Sequence, residues 1–249
     1  MCCASMGNFF FRWLLTATLA LGATALARAQ TTTDLLLVLA VDASGSVSQS
    51  RFDLQKHGYA AAFRHPRVLN AIRGGSTGSI AVTMTQWTGP ALQAHAVPWM
   101  LINDEATAKA FADAIEAAPR QLFSGGTSIS GAIDHAMRLL PTAPYRGLKR
   151  VIDISGDGSN NRGRNVTEAR DDAVRAGVII NGLPILSLEP YLDRYYFDNV
   201  IGGSGSFMVP AESYEAFGTA VLRKLVLEIA SNGPQPPVSG RQRRLSAAP

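Results

Sequence analysis

The sequence predicts an α/β fold: a doubly wound, mostly parallel sheet with helices on both faces and one antiparallel edge strand. Three observations carry this. Strand-like and helix-like runs alternate from residue 34 to residue 230, the pattern of a sheet whose parallel strands are linked by helical crossovers. The first run, "DLLLVLAVD" (34–42), is apolar almost without interruption, as a strand covered on both faces must be. A later run, "HAVPWMLI" (95–102), carries Pro98, which has no N–H for a ladder and therefore belongs at an edge.

The elements follow in order. After the strand at 34–42, residues 48–72 show helical spacing of Phe52, Tyr59 and Phe63, with Ser50 and Asp53 placed as a capping box. "SIAVTMTQW" (79–87) reads as a strand, 95–102 as the edge strand, and "DEATAKAFADAIEAA" (104–118) as a helix. A helix at 127–141 ends at Pro141, a strand occupies 149–155, and a helix at 166–177 stops at Gly177. A strand at 178–187, a short helix at 191–201, a short strand at 206–210 and a closing helix at 211–230 complete the chain's ordered part.

Both ends differ from this domain, which spans about 33–230. Residues 1–29 hold an early cation, Arg12, an uncharged apolar run from Trp13 to Ala27, and the small-residue pattern Ala27-Arg28-Ala29 before Gln30. This is the pattern of a cleavable secretory signal, cut near Ala29/Gln30; the run is shorter than the roughly 20 residues a spanning helix needs. The expected mature protein is periplasmic or secreted, with no stable membrane insertion. Cys2 and Cys3, the chain's two cysteines, would leave with the signal, so no disulfide supports the fold. Residues 231–249, rich in Pro, Gly and Ser and without periodicity, read as a flexible tail.

Charge narrows the function classes. The chain has 23 Lys+Arg against 19 Asp+Glu; Arg12 and Arg28 belong to the signal, and Arg241, Arg243 and Arg244 to the tail. The domain is nearly neutral, without the basic stripe of a nucleic-acid binder.

Oxygen donors gather where strands end. "VDASGS" places Asp42, Ser44 and Ser46 after the first strand, "DISGDGSNN" places Asp157 after the strand at 149–155, and "SGGTSISG" brings Thr127 in behind two glycines. Open parallel sheets put their sites at the carboxyl ends of strands, where the strand order reverses. If the two strands are neighbours there, five oxygens from three loops share one crevice. Such a set suits a hard divalent cation such as Mg²⁺, which takes oxygen donors in an octahedron at roughly 2.0–2.1 Å and keeps some waters. With few carboxylates on it, the ion stays electrophilic and open to an acidic group from another molecule.

"DASGS", "GGTSIS" and "SGDGSN", in this order, resemble the three loops of the metal-ion-dependent adhesion site (MIDAS) of von Willebrand factor A domains. "TQWTGP", "RVIDISGDGSNNRG", "INGLPIL" and "DNVIGGSGSFMVPA" are similar to an exported bacterial group of A-like domains. The resemblance implies a doubly wound fold; Mg²⁺, or Mn²⁺ or Ca²⁺, held by Asp42, Ser44, Ser46, Thr127 and Asp157; and a protein partner that supplies an acidic residue. The adhesion members carry companion modules, and none is expected beside this domain.

Other conspicuous residues read as structural. His57, His65, His95 and His135 have no metal spacing; Trp87 and Trp99 belong to the core. Asp153, inside a strand, is expected to bond to a neighbouring loop. Asn160 and Asn161 either line the crevice or make a turn, and Asn165 caps a helix with Glu168 as partner. Two rival classes remain, a periplasmic small-ligand binder and a metal-dependent hydrolase. The chain has no Gly-x-Ser-x-Gly nucleophile elbow, and "GGTSISG" lacks the lysine of a P-loop, so a non-enzymatic module is expected.

Overall fold

A computed structural model describes residues 30–230; the signal and tail expected from the sequence lie outside them. The central strand β1 (Thr31–Asp42) is buried from Thr33 onward. Because successive side chains of a strand point to opposite faces, its apolar run feeds two cores. Leu35, Leu37, Leu39 and Val41 enter one, while Leu36, Val38 and Ala40 enter the other.

The first core is closed by α1 (Gln49–Arg64), α2 (Pro66–Arg73), α3 (Glu105–Ala117) and α7 (Phe217–Ala230), through Phe52, Phe63, Ile72, Phe111 and Val221 among others. The second lies under α4 (Ile129–Leu139), α5 (Val166–Arg175) and α6 (Leu192–Tyr195), the last running into one π-turn over Tyr196–Val200. Trp87 is fully buried in this second core, and Trp99 packs partly buried against it.

Five strands form the sheet: β1, β2 (Ile80–Trp87), β3 (Gln93–Ile102), β4 (Tyr145–Gly156) and β5 (Ile179–Pro184), in spatial order β3-β2-β1-β4-β5. All pairings are parallel except β2 with β3. The doubly wound sheet and its antiparallel edge strand are therefore as the sequence predicts. The chain winds outward from β1 through β2 to β3, then returns to place β4 on β1's other side. Strand order reverses between β1 and β4, which pair as far as Val41 with Ser155, so Asp42 and Asp157 leave the sheet side by side.

Local chemistry corrects several boundaries. The expected helix over 48–72 is two helices, because Pro66 restricts the residue before it to extended backbone; His65 sits at φ −80°, ψ 133° and its ring accepts from the Arg67 N–H. Ser48, not Ser50, caps α1, accepting from Arg51 N. The expected strand at 206–210 makes only isolated bridges, Gly182 with Met208 and Ile185 with Ala211, since the Phe207 N–H turns to the Asn181 side chain. The closing helix begins at Phe217 rather than at 211: Ala211 is held extended by bonds to Pro184 O and from Leu186 N. Asp153 does not bond to a loop. It meets Lys224 of α7 at 2.6 Å with both side chains fully buried, and Lys224 also reaches Glu228 at 3.2 Å.

Candidate metal centre

Asp42 is the last residue of β1 and is fully buried. Its carboxylate holds the next turn in place: Oδ1 accepts from Ser44 N at 2.7 Å, and Oδ2 from Asp157 N at 3.4 Å across the strand boundary. That Asx-type turn brings Ser44 Oγ within 3.1 Å of Ser46 Oγ, and Ser46 Oγ donates to Asp157 Oδ1 at 2.6 Å. Four of the five predicted donors thus form one continuous hydrogen-bonded chain. The fifth, Thr127, arrives on the loop before α4. Gly125 and Gly126 adopt φ +125° and +80° there, which L side chains rarely adopt, and Thr127 O accepts from Asn161 N and Arg162 N. Thr127 Oγ1 lies 3.7 Å from the point where a Cβ on Gly158 would sit, one residue from Asp157.

Burial sets the electrostatics. The Asp42 carboxyl is pushed up to about 7, first by desolvation and then by the nearby charge of Asp157. Burial and the Asp157 charge likewise raise the Tyr214 phenol well above its usual range. Tyr214 donates to Asp157 Oδ2 at 2.8 Å, and Arg51, whose guanidinium lies over the Tyr214 ring, comes no closer to that oxygen than 4.0 Å. Two buried carboxyl groups and the hydroxyls of Ser44 and Ser46 therefore lie together with little cationic compensation, and the Thr127 loop approaches beside Gly158. Such a donor set fits a hard divalent cation, which would offset the repulsion between the carboxylates and accept the hydroxyl lone pairs. Among the described residues no three His, Cys, Asp or Glu side chains cluster, so any ion here rests chiefly on hydroxyls.

Several supporting residues were not visible in the motifs. Arg120 donates to Ala43 O and Ser44 O while sandwiched between Phe52 and Phe123. Gln55 donates to Asp42 O. Tyr214 sits 57 residues after Asp157 in the chain, and only folding brings them together. The carboxamide oxygens of Asn160 and Asn161 accept from Ser130 N and Thr127 N, and the two residues line an open polar cavity of about 470 Å³ with Arg162, Tyr195 and Asn199, which none of the five predicted donors borders. Asn165 caps α5 but accepts from Thr167 N and Oγ1. Glu189, on the loop after β5, accepts from Ser159 N and Ser159 Oγ at 3.1 and 3.2 Å beside the centre.

A doubly wound sheet with one antiparallel edge, and this loop constellation at its reversal point, is the architecture of a von Willebrand factor A domain. Solved structures agree on the fold. A von Willebrand factor type A protein from Catenulispora acidiphila superposes with a TM-score of 0.55 at 16% identity, over 80% of this chain and 43% of that one. The pilus adhesin SpaC from Lactobacillus rhamnosus GG gives 0.55 at 15%, over 82% and 31%. Proximal thread matrix protein 1 from the mussel byssus, with a zinc-occupied MIDAS motif, gives 0.55 at 15%, over 81% and 49%. This chain spans less than half the length of each. Residues 32–233 match the family described as "Protein of unknown function (DUF1194)", and the chain belongs to that family. No curated protein matches.

Proposed function

We propose that the protein is a divalent-cation-dependent protein-binding module, without catalytic activity, working outside the cytoplasm in the periplasm or beyond. Asp42, Ser44, Ser46, Thr127 and Asp157 hold Mg²⁺ or a related ion, Mn²⁺ or Ca²⁺. The bound ion supplies an electrophilic position, and a partner protein fills it with an acidic side chain. Two buried carboxyl groups, Asp42 and Asp157, joined at the strand reversal through Ser44 and the Ser46 hydroxyl carry the reading.

Each residue has a separate task. Asp42 and Asp157 bring negative charge; Ser44, Ser46 and Thr127 offer neutral oxygens that leave the ion's charge largely unquenched. Tyr214 and the Asp157 backbone N–H orient the carboxylates, as outer hydrogen-bond partners do at metal sites. The solved adhesin and the solved matrix protein support a binding role by similarity of fold. Among the described residues no helix is long and apolar enough to cross a membrane.

Isothermal titration of the full chain with Mg²⁺ and with Mn²⁺ tests the reading. Saturable one-to-one binding is expected, lost in Asp42→Ala and in Asp157→Ala, with far-UV circular dichroism unchanged. Undiminished metal affinity in both variants refutes it.

A further inference from the structure

Three asparagines between β4 and α5 use their side chains in the same way. The Oδ1 of Asn160 accepts from Ser130 N, that of Asn161 from Thr127 N and that of Asn165 from Thr167 N, each at 3.0 Å. A backbone N–H can be met only by the carbonyl end of a carboxamide, so the amide ends are left over as donors. Asn160 Nδ2 gives one hydrogen to Arg164 O at 3.2 Å, while those of Asn161 and Asn165 make no hydrogen bond among the described residues. Arg164 is paired with Asp134 and Asp172. The Arg162 guanidinium has no hydrogen bond or ion pair among the described residues, although its backbone N is fixed to Thr127 O at 3.2 Å. Tyr195 Oη accepts from Asn160 N at 3.2 Å and keeps its own hydrogen to give. With Asn199, these residues line the open cavity of about 470 Å³, and no Asp or Glu borders it.

We propose that this cavity is a binding site for a small hydroxylated carboxylate, of the size and chemistry of a six-carbon sugar acid. Its volume falls within the roughly 300–1,000 Å³ of small-molecule sites. The groups it leaves unmet are donors almost throughout, and they call for a ligand rich in acceptor oxygens. Arg162 is a planar fork with no carboxylate of the protein on it, the geometry that binds a carboxylate through two parallel N–H bonds. The neutral amide and phenol donors suit hydroxyl oxygens. Asn199, whose Nδ2 is bound to Tyr195 O, leaves Oδ1 to accept from a ligand hydroxyl. A dianionic phosphate would bring a second charge that no second unpaired cation meets, because Arg164 is already neutralised. None of the five predicted metal donors borders the cavity, so this assignment stands or falls apart from the metal reading.

Isothermal titration of the full chain in chelator, so that no metal competes for the acid, tests this with glucuronate, glucose and inorganic phosphate. Glucuronate should bind one-to-one, glucose about 10-fold more weakly for want of the carboxylate, and phosphate more weakly than glucuronate. Arg162→Gln should weaken glucuronate about 10-fold and Tyr195→Phe about 5-fold. Arg162 is exposed, so far-UV circular dichroism of its variant should match wild type. Absence of saturable glucuronate binding, undiminished affinity in Arg162→Gln, or tighter binding of phosphate than of glucuronate overturns the assignment.

Discussion

The stability of the metal-free protein should fall as pH rises, and the slope should trace to Asp42. Its carboxyl moves from 3.8 to about 7 on folding, chiefly through burial and then through the charge of Asp157. At about 1.36 kcal/mol per unit, ionising Asp42 in the folded protein costs about 4 kcal/mol relative to the unfolded chain. Between the two values the folded state holds a proton that the unfolded state has lost. The favourable contribution is complete below about pH 4, declines through the interval, and is gone above about pH 7. Urea denaturation of the full chain in chelator at pH 5 and pH 8 measures it, with Asp42→Asn as the control that removes the titrating group. Ionisable groups remote from Asp42 are common to both proteins and cancel in the difference. Wild type should lose about 2–3 kcal/mol more than the variant between the two pH values. Saturating Mg²⁺, which requires the ionised carboxylate, should flatten or invert the wild-type slope. Equal slopes in the two metal-free proteins refute the argument.

Three further outcomes follow from the same geometry. Lys224→Met leaves Asp153 and Glu228 buried without their shared cation and should cost about 3–5 kcal/mol; the deficit, seen as a lower urea midpoint, should be larger at pH 8 than at pH 5, because the stranded Asp153 carboxyl, already pushed up to about 7 by burial, can hold a proton only at the lower value. Tyr214→Phe deletes the hydroxyl on Asp157 Oδ2 and should weaken Mg²⁺ binding about 10-fold while changing stability by only about 1 kcal/mol, a contrast that calorimetric titration and thermal unfolding together detect. Gly126→Ala places a Cβ 2.7 Å from Arg162 Cγ at φ +80° and should displace the Thr127 loop, lowering metal affinity with the sheet intact by far-UV circular dichroism.

Much of the architecture is legible in residue order. The uninterrupted apolar run of β1 announces burial on two faces, and Pro98 marks β3 as the edge, because a missing N–H can be tolerated only where no neighbour needs it. Two of the misreadings share one cause. Whether 206–210 completes a ladder depends on Asn181 claiming the Phe207 N–H, and whether helix begins at 211 or 217 depends on Ala211 being held by Pro184 and Leu186. Neither competition is visible locally.

The candidate centre divides the same way. Asp42, Ser44 and Ser46 are set by the sequence alone: an Asx turn closing a strand places three oxygens on one loop whatever surrounds it. That Asp157 and Thr127 join them depends on β4 lying beside β1, as the motif order implies. Tyr214, Arg120 and Glu189 are known to the site only through tertiary structure. Their chain distances from the residues they bind are long and their residue types common, so no spacing marks them. Folding selects Tyr214 and Arg120 because the buried Asp157 carboxylate and the Ala43 and Ser44 carbonyls must find donors, and the nearest donors are whichever distant segments the packing delivers.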